Sequence, residues 1–584
     1  IKESVEQNVF TYTNFFNGGG VAIGDINNDG LVDIYFSANQ KTGKLYLNLG
    51  NFKFKDITKS SGLDTISGWK TGVTMVDINQ DGFLDLYMCR SGDTRPKLRR
   101  NLLYINQGDK TFVEKGKEYG LDDWSNSIQA TFFDYDLDGD LDMFLLNHAI
   151  KPIREIFRNF HDKDIDPYIG DKLYRNDDGY YTEVKDFVGI NRSKLGDGLG
   201  MAVVDFNNDR YPDIYVCNDF AGRDYFYLNN GDGTFKESAL TSMDHISYSS
   251  MGADAADINN DGWQDLFVLD MNSTTNLGRK TNMGSMDPEV FNVLVDLGGH
   301  HQYMRNTLQL NNGNGTFSDI APLAGVASTD WSWSPLFVDL DNDGFNDLFV
   351  TNGMRKNTNN KDFEHFKDER VQQESGKSNP DYALMVNDIL DNIPPEKSIN
   401  LVFKNEKGIT FTKSNEKWGV NKPSFSNGSA YADLDNDGDM DLVVNNIDEE
   451  AHIYQNHTSS LSKNHFIKIK LNGKAANING IGAKVMVQFN GQKQFKEQYV
   501  TRGYQSSVDY ILHFGLGKTD HVEKIRVTWP SGKVTEELNV KANQQIVISE
   551  EKAAQDEGPK ESKPLLFSDV ANAYQLVHKH EEND

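Results

Sequence analysis

The sequence predicts an all-β chain: a seven-bladed β-propeller followed by a small β-sandwich. Three observations carry that expectation. A nine-residue acidic motif recurs seven times, an alternating apolar strand follows each copy, and a strand pair joined by a Gly/Asn turn closes most of the units. Repeats of this length are single supersecondary units that bury their faces only by stacking on neighbours. Four antiparallel strands per unit, closed radially, leave few open edges.

The motif copies are "DINNDGLVD" from Asp25, "DINQDGFLD" from Asp77, "DYDLDGDLD" from Asp134, "DFNNDRYPD" from Asp205, "DINNDGWQD" from Asp257, "DLDNDGFND" from Asp339 and "DLDNDGDMD" from Asp433. Each follows a run of small and apolar residues ("GGGVAIG", "TGVTMV", "GMAVV", "GADAA") and precedes a strand such as "IYFSA" or "IYVCN". Segments of the type "KLYLNLG" and "YFYLNNGDGTF" then supply the third strand, the tight turn and the fourth strand. The seventh unit stops at "HIYQN", and residues 8–16 ("NVFTYTNFF") are expected to complete it and close the ring.

Alternating Asp/Asn at positions 1, 3 and 5, the carbonyl of position 7 and Asp at position 9 form an oxygen shell suited to Ca²⁺. The ligands are Asp25, Asn27, Asp29, Leu31 and Asp33 in the first loop and Asp77, Asn79, Asp81, Phe83 and Asp85 in the second. The third has Asp134, Asp136, Asp138, Asp140 and Asp142; the fourth has Asp205, Asn207, Asp209, Tyr211 and Asp213. Asp257, Asn259, Asp261, Trp263 and Asp265 make the fifth, Asp339, Asp341, Asp343, Phe345 and Asp347 the sixth, and Asp433, Asp435, Asp437, Asp439 and Asp441 the seventh. Position 12 is an apolar strand residue rather than Glu, so these are β-hairpin loops and not EF-hands. An acidic turn without metal explains one copy, but seven copies gather 26 carboxylates that would repel one another without cations. Up to seven Ca²⁺ would halve the formal charge of −28. The fourth loop carries Arg210 where the others have glycine, which makes it the weakest of the seven.

The repeats "GVAIGDINNDGLVDIYF" and "GADAADINNDGWQDLFVLD" resemble FG-GAP/VCBS repeats, the blades of integrin α-subunit propellers and of exported bacterial proteins. That resemblance covers roughly residues 8–460 of a propeller read as residues 1–460, and implies calcium loops on one face and ligand or partner contacts on the other. From the last Asp of each loop to the Asn of the third strand the spacing is short in four units, but long insertions fall at 149–171, 271–305 and 353–399. All three lie in the same connection, hence on the face opposite the acidic loops. The third contains "NPDYALMVNDILDNI", which has a helical period. Trp69, Trp124, Tyr248, Trp331, Trp333 and Phe425 are placed on that face, either as a sugar or peptide surface or as packing between blades.

Residues 464–550 resemble the ASPIC/UnbV domain through "GIGA", "GLG" and "WPSG", which are Gly482, Ala483, Gly515, Leu516, Gly517, Trp529, Pro530 and Gly532 here. The resemblance implies a small β-sandwich. With 12 basic against 7 acidic residues it is mildly basic, so it can orient against an acidic propeller. Residues 551–564 read as a linker and 565–584 as the start of a further module.

A charge of −28 argues against nucleic acid as the main partner, and no apolar run is long enough to span a membrane. Cys89 and Cys217 hold equivalent places in non-adjacent repeats and read as buried thiols. No nucleophile elbow, zincin motif or P-loop is present. His300 and His301 read as an exposed polar loop rather than metal ligands. The expectation is a calcium-binding, non-enzymatic cell-surface scaffold with protein partners. The propeller–sandwich order resembles Bacteroidota surface proteins of outer-membrane assemblies, including SusC/SusD-type importers. The alternative is an exported polysaccharide-binding or lyase-like propeller with a glycan or peptide ligand. Loops of this type fill at millimolar calcium, which places the chain outside the cell.

Overall fold

The acidic loops sit where the chain reverses between two strands, because the ninth residue of each motif is the first residue of the following strand. In the first unit Gly24 pairs with Asp33 and Val21 with Phe36, so residues 25–32 form the turn of an antiparallel pair. The computed structural model describes residues 1–556 except 94, 150–166, 186–187, 194–195, 220–221, 283–287, 297 and 475. Seven such units occupy residues 21–56, 70–114, 127–183, 198–237, 253–319, 332–413 and 426–454. The first six contain four antiparallel strands in sequence order and the seventh three. The chain is therefore all-β and of the propeller type.

First strands of consecutive sheets lie against one another, and that of the seventh lies against that of the first. Two series of amide bonds stitch the sheets. The asparagine ending the third strand donates to the position-2 carbonyl of the preceding unit: Asn106 to Ile26 (2.8 Å), Asn229 to Tyr135 (2.7 Å), Asn311 to Phe206 (2.8 Å), Asn405 to Ile258 (3.0 Å) and Asn456 to Leu340 (2.7 Å). Asn48 makes the same bond to Leu434 of the seventh sheet (2.9 Å). Position-4 asparagines reach forward to the position-6 carbonyl of the next loop, as Asn28 does to Gly82 (2.8 Å) and Asn436 to Gly30 (2.9 Å). Asn48→Ala leaves the carbonyls of Leu434 and Val32 without this donor. It should cost about 2–3 kcal/mol in urea denaturation.

The seventh sheet is not completed by residues 8–16. Asn8 accepts from the amides of Phe10 (2.8 Å) and Thr11 (3.2 Å), which holds this segment in turns. Tyr12, Phe15 and Phe16 are buried on the insertion face, where Tyr12 and Phe15 pack on Trp69 at 5.5 and 4.8 Å. Burying three large rings there outweighs pairing one edge strand. The same face carries α1 (Asn276–Asn282), α2 (Pro288–Asp296), α3 (Lys361–Ser375) and α4 (Tyr382–Asp391). The helical period is realised in α4, which Arg370 of α3 grips through Asp388 (2.6 Å). Asn282 joins the two insertions by donating to Glu396 (3.0 Å). Most of the 149–171 insertion lies outside the described residues.

Residues 465–555 form two sheets, of three and five strands, around Ile467, Ile469, Val485, Val487, Phe514 and Trp529. Ala554–Gln555, within the span read as a linker, pairs on the edge of the larger sheet; residues beyond 556, including the proposed further module, lie outside the described ones.

This domain does not stand beside the propeller. A hairpin of Thr501–Arg502 and Ser506–Ser507 runs into the propeller's axis, and Ser507 pairs in parallel with Ala22 of the first sheet. Gln505 accepts from Val73 (3.1 Å) in the second sheet, and Ser506 accepts from Gln129 (3.1 Å) in the third. Gly503 donates to Ala253 (3.1 Å) of the fifth sheet, and Tyr504 to Ser334 (3.1 Å) of the sixth. Tyr504, Ser506 and Ser507 have no exposed surface. The small residues of the inner strands make room for this plug: a Cβ on Gly20 would lie 1.6 Å from the Gln505 carbonyl oxygen.

Candidate metal centres

Each acidic loop is held by its own carboxylates. The position-1 Asp accepts from the position-6 amide in all seven copies, at 2.5–3.0 Å. The position-5 Asp accepts from the position-7 amide at 2.9–3.1 Å. One oxygen of the position-9 Asp accepts from position 2, and the other from the asparagine that ends the third strand; in the first loop Asp33 accepts from Ile26 (3.1 Å) and Asn48 (2.7 Å). Loop, hairpin and neighbouring blade thus converge on one carboxylate.

These carboxylates sit in surroundings that call for a cation. Burial pushes Asp33 and Asp85 up to about 7, Asp441 to about 8 and Asp142 to about 9, against the pull of their backbone donors. Asp134 rises to about 7 through burial, reinforced by Asp138 and Asp136. Carboxylate oxygens gather within 4.8 Å in three loops: Asp134, Asp136 and Asp142; Asp339, Asp341 and Asp347; Asp433, Asp435 and Asp441. Buried oxygens of Asp134, Asp140, Asp341 and Asp435 have no hydrogen-bond partner. A hard cation with oxygen ligands fits such groups. In the other four loops the position-3 amide donates to the position-5 carboxylate, as from Asn27 to Asp29 (2.9 Å) and from Asn207 to Asp209 (2.8 Å).

Family models match this organisation. The FG-GAP-like repeat model matches residues 25–88, 205–268 and 285–350, and the ASPIC and UnbV model matches 473–555. The chain carries FG-GAP-like repeats and a C-terminal ASPIC and UnbV domain. The loops at Asp134 and Asp433 fall outside the FG-GAP matches and are recognised by their spacing and geometry. Cartilage acidic protein 1 of Xenopus tropicalis is 27% identical over 210 residues, which are 35% of this chain and 29% of that protein. The chain thus matches under a third of that relative's length. Among solved structures, a GH43_1 enzyme from Xanthomonas citri aligns with 54% of this chain and 94% of its own, at 12% identity and a TM-score of 0.27. The Vibrio cholerae biofilm matrix protein Bap1 aligns with 93% of this chain and 84% of its own, at 10% identity and a TM-score of 0.26. FG-GAP repeats generally bind calcium, and the Asp-rich groups belong to that pattern.

The UnbV domain covers the acidic-loop face of the FG-GAP repeats. Lys484 pairs with Asp205 and Lys468 with Asp433, both at 2.7 Å, and Arg502 with Asp254 at 2.8 Å. Asp205 and Asp433 are position-1 residues, so the basic domain orients on the acidic propeller through the loops themselves. Arg210 adopts φ 82°, within the 82–104° spanned by position 6 in all seven loops. Its side chain is exposed, yet its guanidinium reaches the "WPSG" turn, 2.1 Å from where a Cβ on Gly532 would stand. Arg210→Gly relieves a left-handed conformation worth about 1 kcal/mol. It should tighten calcium binding at this loop in calorimetric titration.

Other candidates of the sequence resolve differently. Cys89 and Cys217 are free and buried. His300 is buried, not exposed, and its Nε2 lies 3.0 Å from the Met243 carbonyl. Trp69, Trp333 and Phe425 are buried, which favours packing over a ligand surface, while Trp124 remains exposed.

Proposed function

We propose that the protein is a non-enzymatic, calcium-stiffened scaffold of the cell surface, whose insertion face docks a protein partner in an outer-membrane assembly. The carrying observation is the division of the propeller's faces. One face is given over to acidic loops and sealed by the UnbV domain, whose plug fills the axis. The other displays helices with exposed Leu277, Tyr382 and Leu384 on a rigid frame. Up to seven Ca²⁺ would neutralise the covered face, and millimolar extracellular calcium suits such loops. Among the described residues no helix is long and apolar enough to cross a membrane, so the reading requires association through an anchor or a partner.

A Ser–His–Asp grouping also supports structure over catalysis. Ser91 Oγ lies 2.7 Å from His148 Nε2, and Asp197 lies 3.7 Å from Nδ1. The Asn14 amide lies against Nδ1, its orientation set by Asn17 (2.9 Å), and Tyr12 Oη lies 3.3 Å from Nε2, so Ser91 and Asp197 are not the ring's sole partners. The cluster staples the N-terminal segment to the blades.

A second reading, glycan capture, draws on a cavity of about 320 Å³ on the insertion face, where Trp69, Tyr12 and Phe15 meet Glu6, Asp93 and Arg95. Gentle extraction of native membranes with crosslinking separates the two. The scaffold reading expects a defined membrane complex. A lone monomer that turns over glycan overturns it.

A further inference from the structure

The acidic loops fall into two charge classes, and one residue outside each loop follows the class. Position 3 is Asn27, Asn79, Asn207 and Asn259 in four loops, and Asp136, Asp341 and Asp435 in three. The residue before the third-strand asparagine is Leu47, Ile105, Leu228 and Leu310 in the first group. It is Arg175, Lys404 and Gln455 in the second. The match holds in all seven units, although in the second group 39 residues separate the two positions in the third unit, 63 in the sixth and 20 in the seventh.

The structure shows why. In the sixth and seventh units this residue reaches back to its own loop, Gln455 Nε2 donating to Asp435 (3.0 Å), whereas Arg175 pairs with Asp177 (2.9 Å) and acts on Asp136 only through its charge. Lys404 goes furthest, with its ammonium bridging Asp343 (2.7 Å) and Asp341. Where position 3 is a neutral amide, an aliphatic residue suffices. Where it is a carboxylate, a donor or a cation offsets the added charge.

We propose that Lys404 is a built-in competitor for calcium at the sixth loop. This inference rests on the calcium reading of the loops. Without calcium the ammonium takes part of the cation's place between positions 3 and 5; a calcium ion must displace it, and the flexible lysine stem allows it to swing away. The sixth loop then binds more weakly than its four carboxylates suggest, whereas in the seventh the neutral Gln455 leaves only Lys468 of the UnbV domain, on Asp433 (2.7 Å), to compete. Occupancy of this loop reaches the UnbV domain directly. Gly517 donates to Asn342 (2.9 Å), and a Cβ on Gly515 would stand 2.1 Å from Asp339. Filling of the sixth loop, at limiting calcium, thus alters the seat of the C-terminal domain, as filling of the fourth and seventh does through Lys484 and Lys468.

The test is Lys404→Leu in the full chain. Leucine stands at the same place in three other blades, so the fold accommodates it; Lys404→Gln copies the seventh. Calcium titration calorimetry should show one site of the wild type strengthened about tenfold or more in both variants, with stoichiometry unchanged. In chelator Lys404→Leu should melt below wild type, because the carboxylates lose their internal cation; in calcium it should not. Identical isotherms, or loss of a site, overturn the proposal. A wild type that takes up no calcium overturns the calcium reading itself.

Discussion

Chelating calcium is expected to lower the melting temperature by about 10 °C or more. A site held at 100 times its Kd contributes about 2.7 kcal/mol. Three filled loops therefore contribute about 8 kcal/mol, as much as the whole stability of many domains. The position-9 carboxylates make the loss structural, because each also anchors a strand asparagine that bonds to the neighbouring blade in six of the seven units. The pH dependence fixes the cause. Asp33, Asp85, Asp441 and Asp142 are raised by burial to about 7, 7, 8 and 9, above an unfolded value of about 4. Folding of the calcium-free chain thus takes up protons. The stability these groups supply is complete below about pH 4 and is lost as pH rises through 7 to 9. Calcium reverses the trend, since protons compete with it for the ligands. Scanning calorimetry at pH 6 and pH 8.5, with calcium and with chelator, reads both effects. An unchanged melting curve in chelator at pH 8.5 contradicts the structural role.

How much of this was legible in the sequence depends on the range of the interaction. The loops were readable because their ligands lie within nine residues, and the glycine at position 6 reports a backbone angle that Arg210 nonetheless adopts. The blade order was readable from period alone. The interblade bonds were half visible: the recurring asparagine of "LYLN" announces itself, but its acceptor lies in another unit, 80 residues away for Asn106 and Ile26. Residues 8–16 misled because apolar alternation does not distinguish an edge strand from an aromatic clasp around Trp69. The plug left only an indirect trace. Nothing in "YVTRGYQSSVDY" marks it as axial, but Gly20 is smaller than a blade core requires, whereas Gly252 and Gly428 first meet the neighbouring blades. Gly20 records the space that another segment needs.

That space supplies the second large effect. Gly20→Val should dislodge the plug, because its Cβ, fixed in place by the backbone, would meet the Gln505 backbone carbonyl oxygen at 1.6 Å. Neither can turn aside as a side chain would. Tyr504→Ala tests the same unit from the other side: the ring is fully buried, 5.3 Å from Trp333, and its loss should cost about 3–5 kcal/mol. Arg502→Met leaves Asp254 as a buried carboxylate without its cation, a change of about 3–5 kcal/mol. Five sheets bond to this hairpin, so the wild type should melt in one cooperative transition that includes the UnbV domain. Gly20→Val should divide it in two, since the sandwich keeps its own core of Ile467, Val485, Phe514 and Trp529. Trypsin gives an independent reading. Arg502 is nearly enclosed, with 12% of its side chain exposed, and resists cleavage while the plug is seated. A Gly20→Val variant that melts as one unit and protects Arg502 as well as wild type would show that the axis tolerates the plug without this fit.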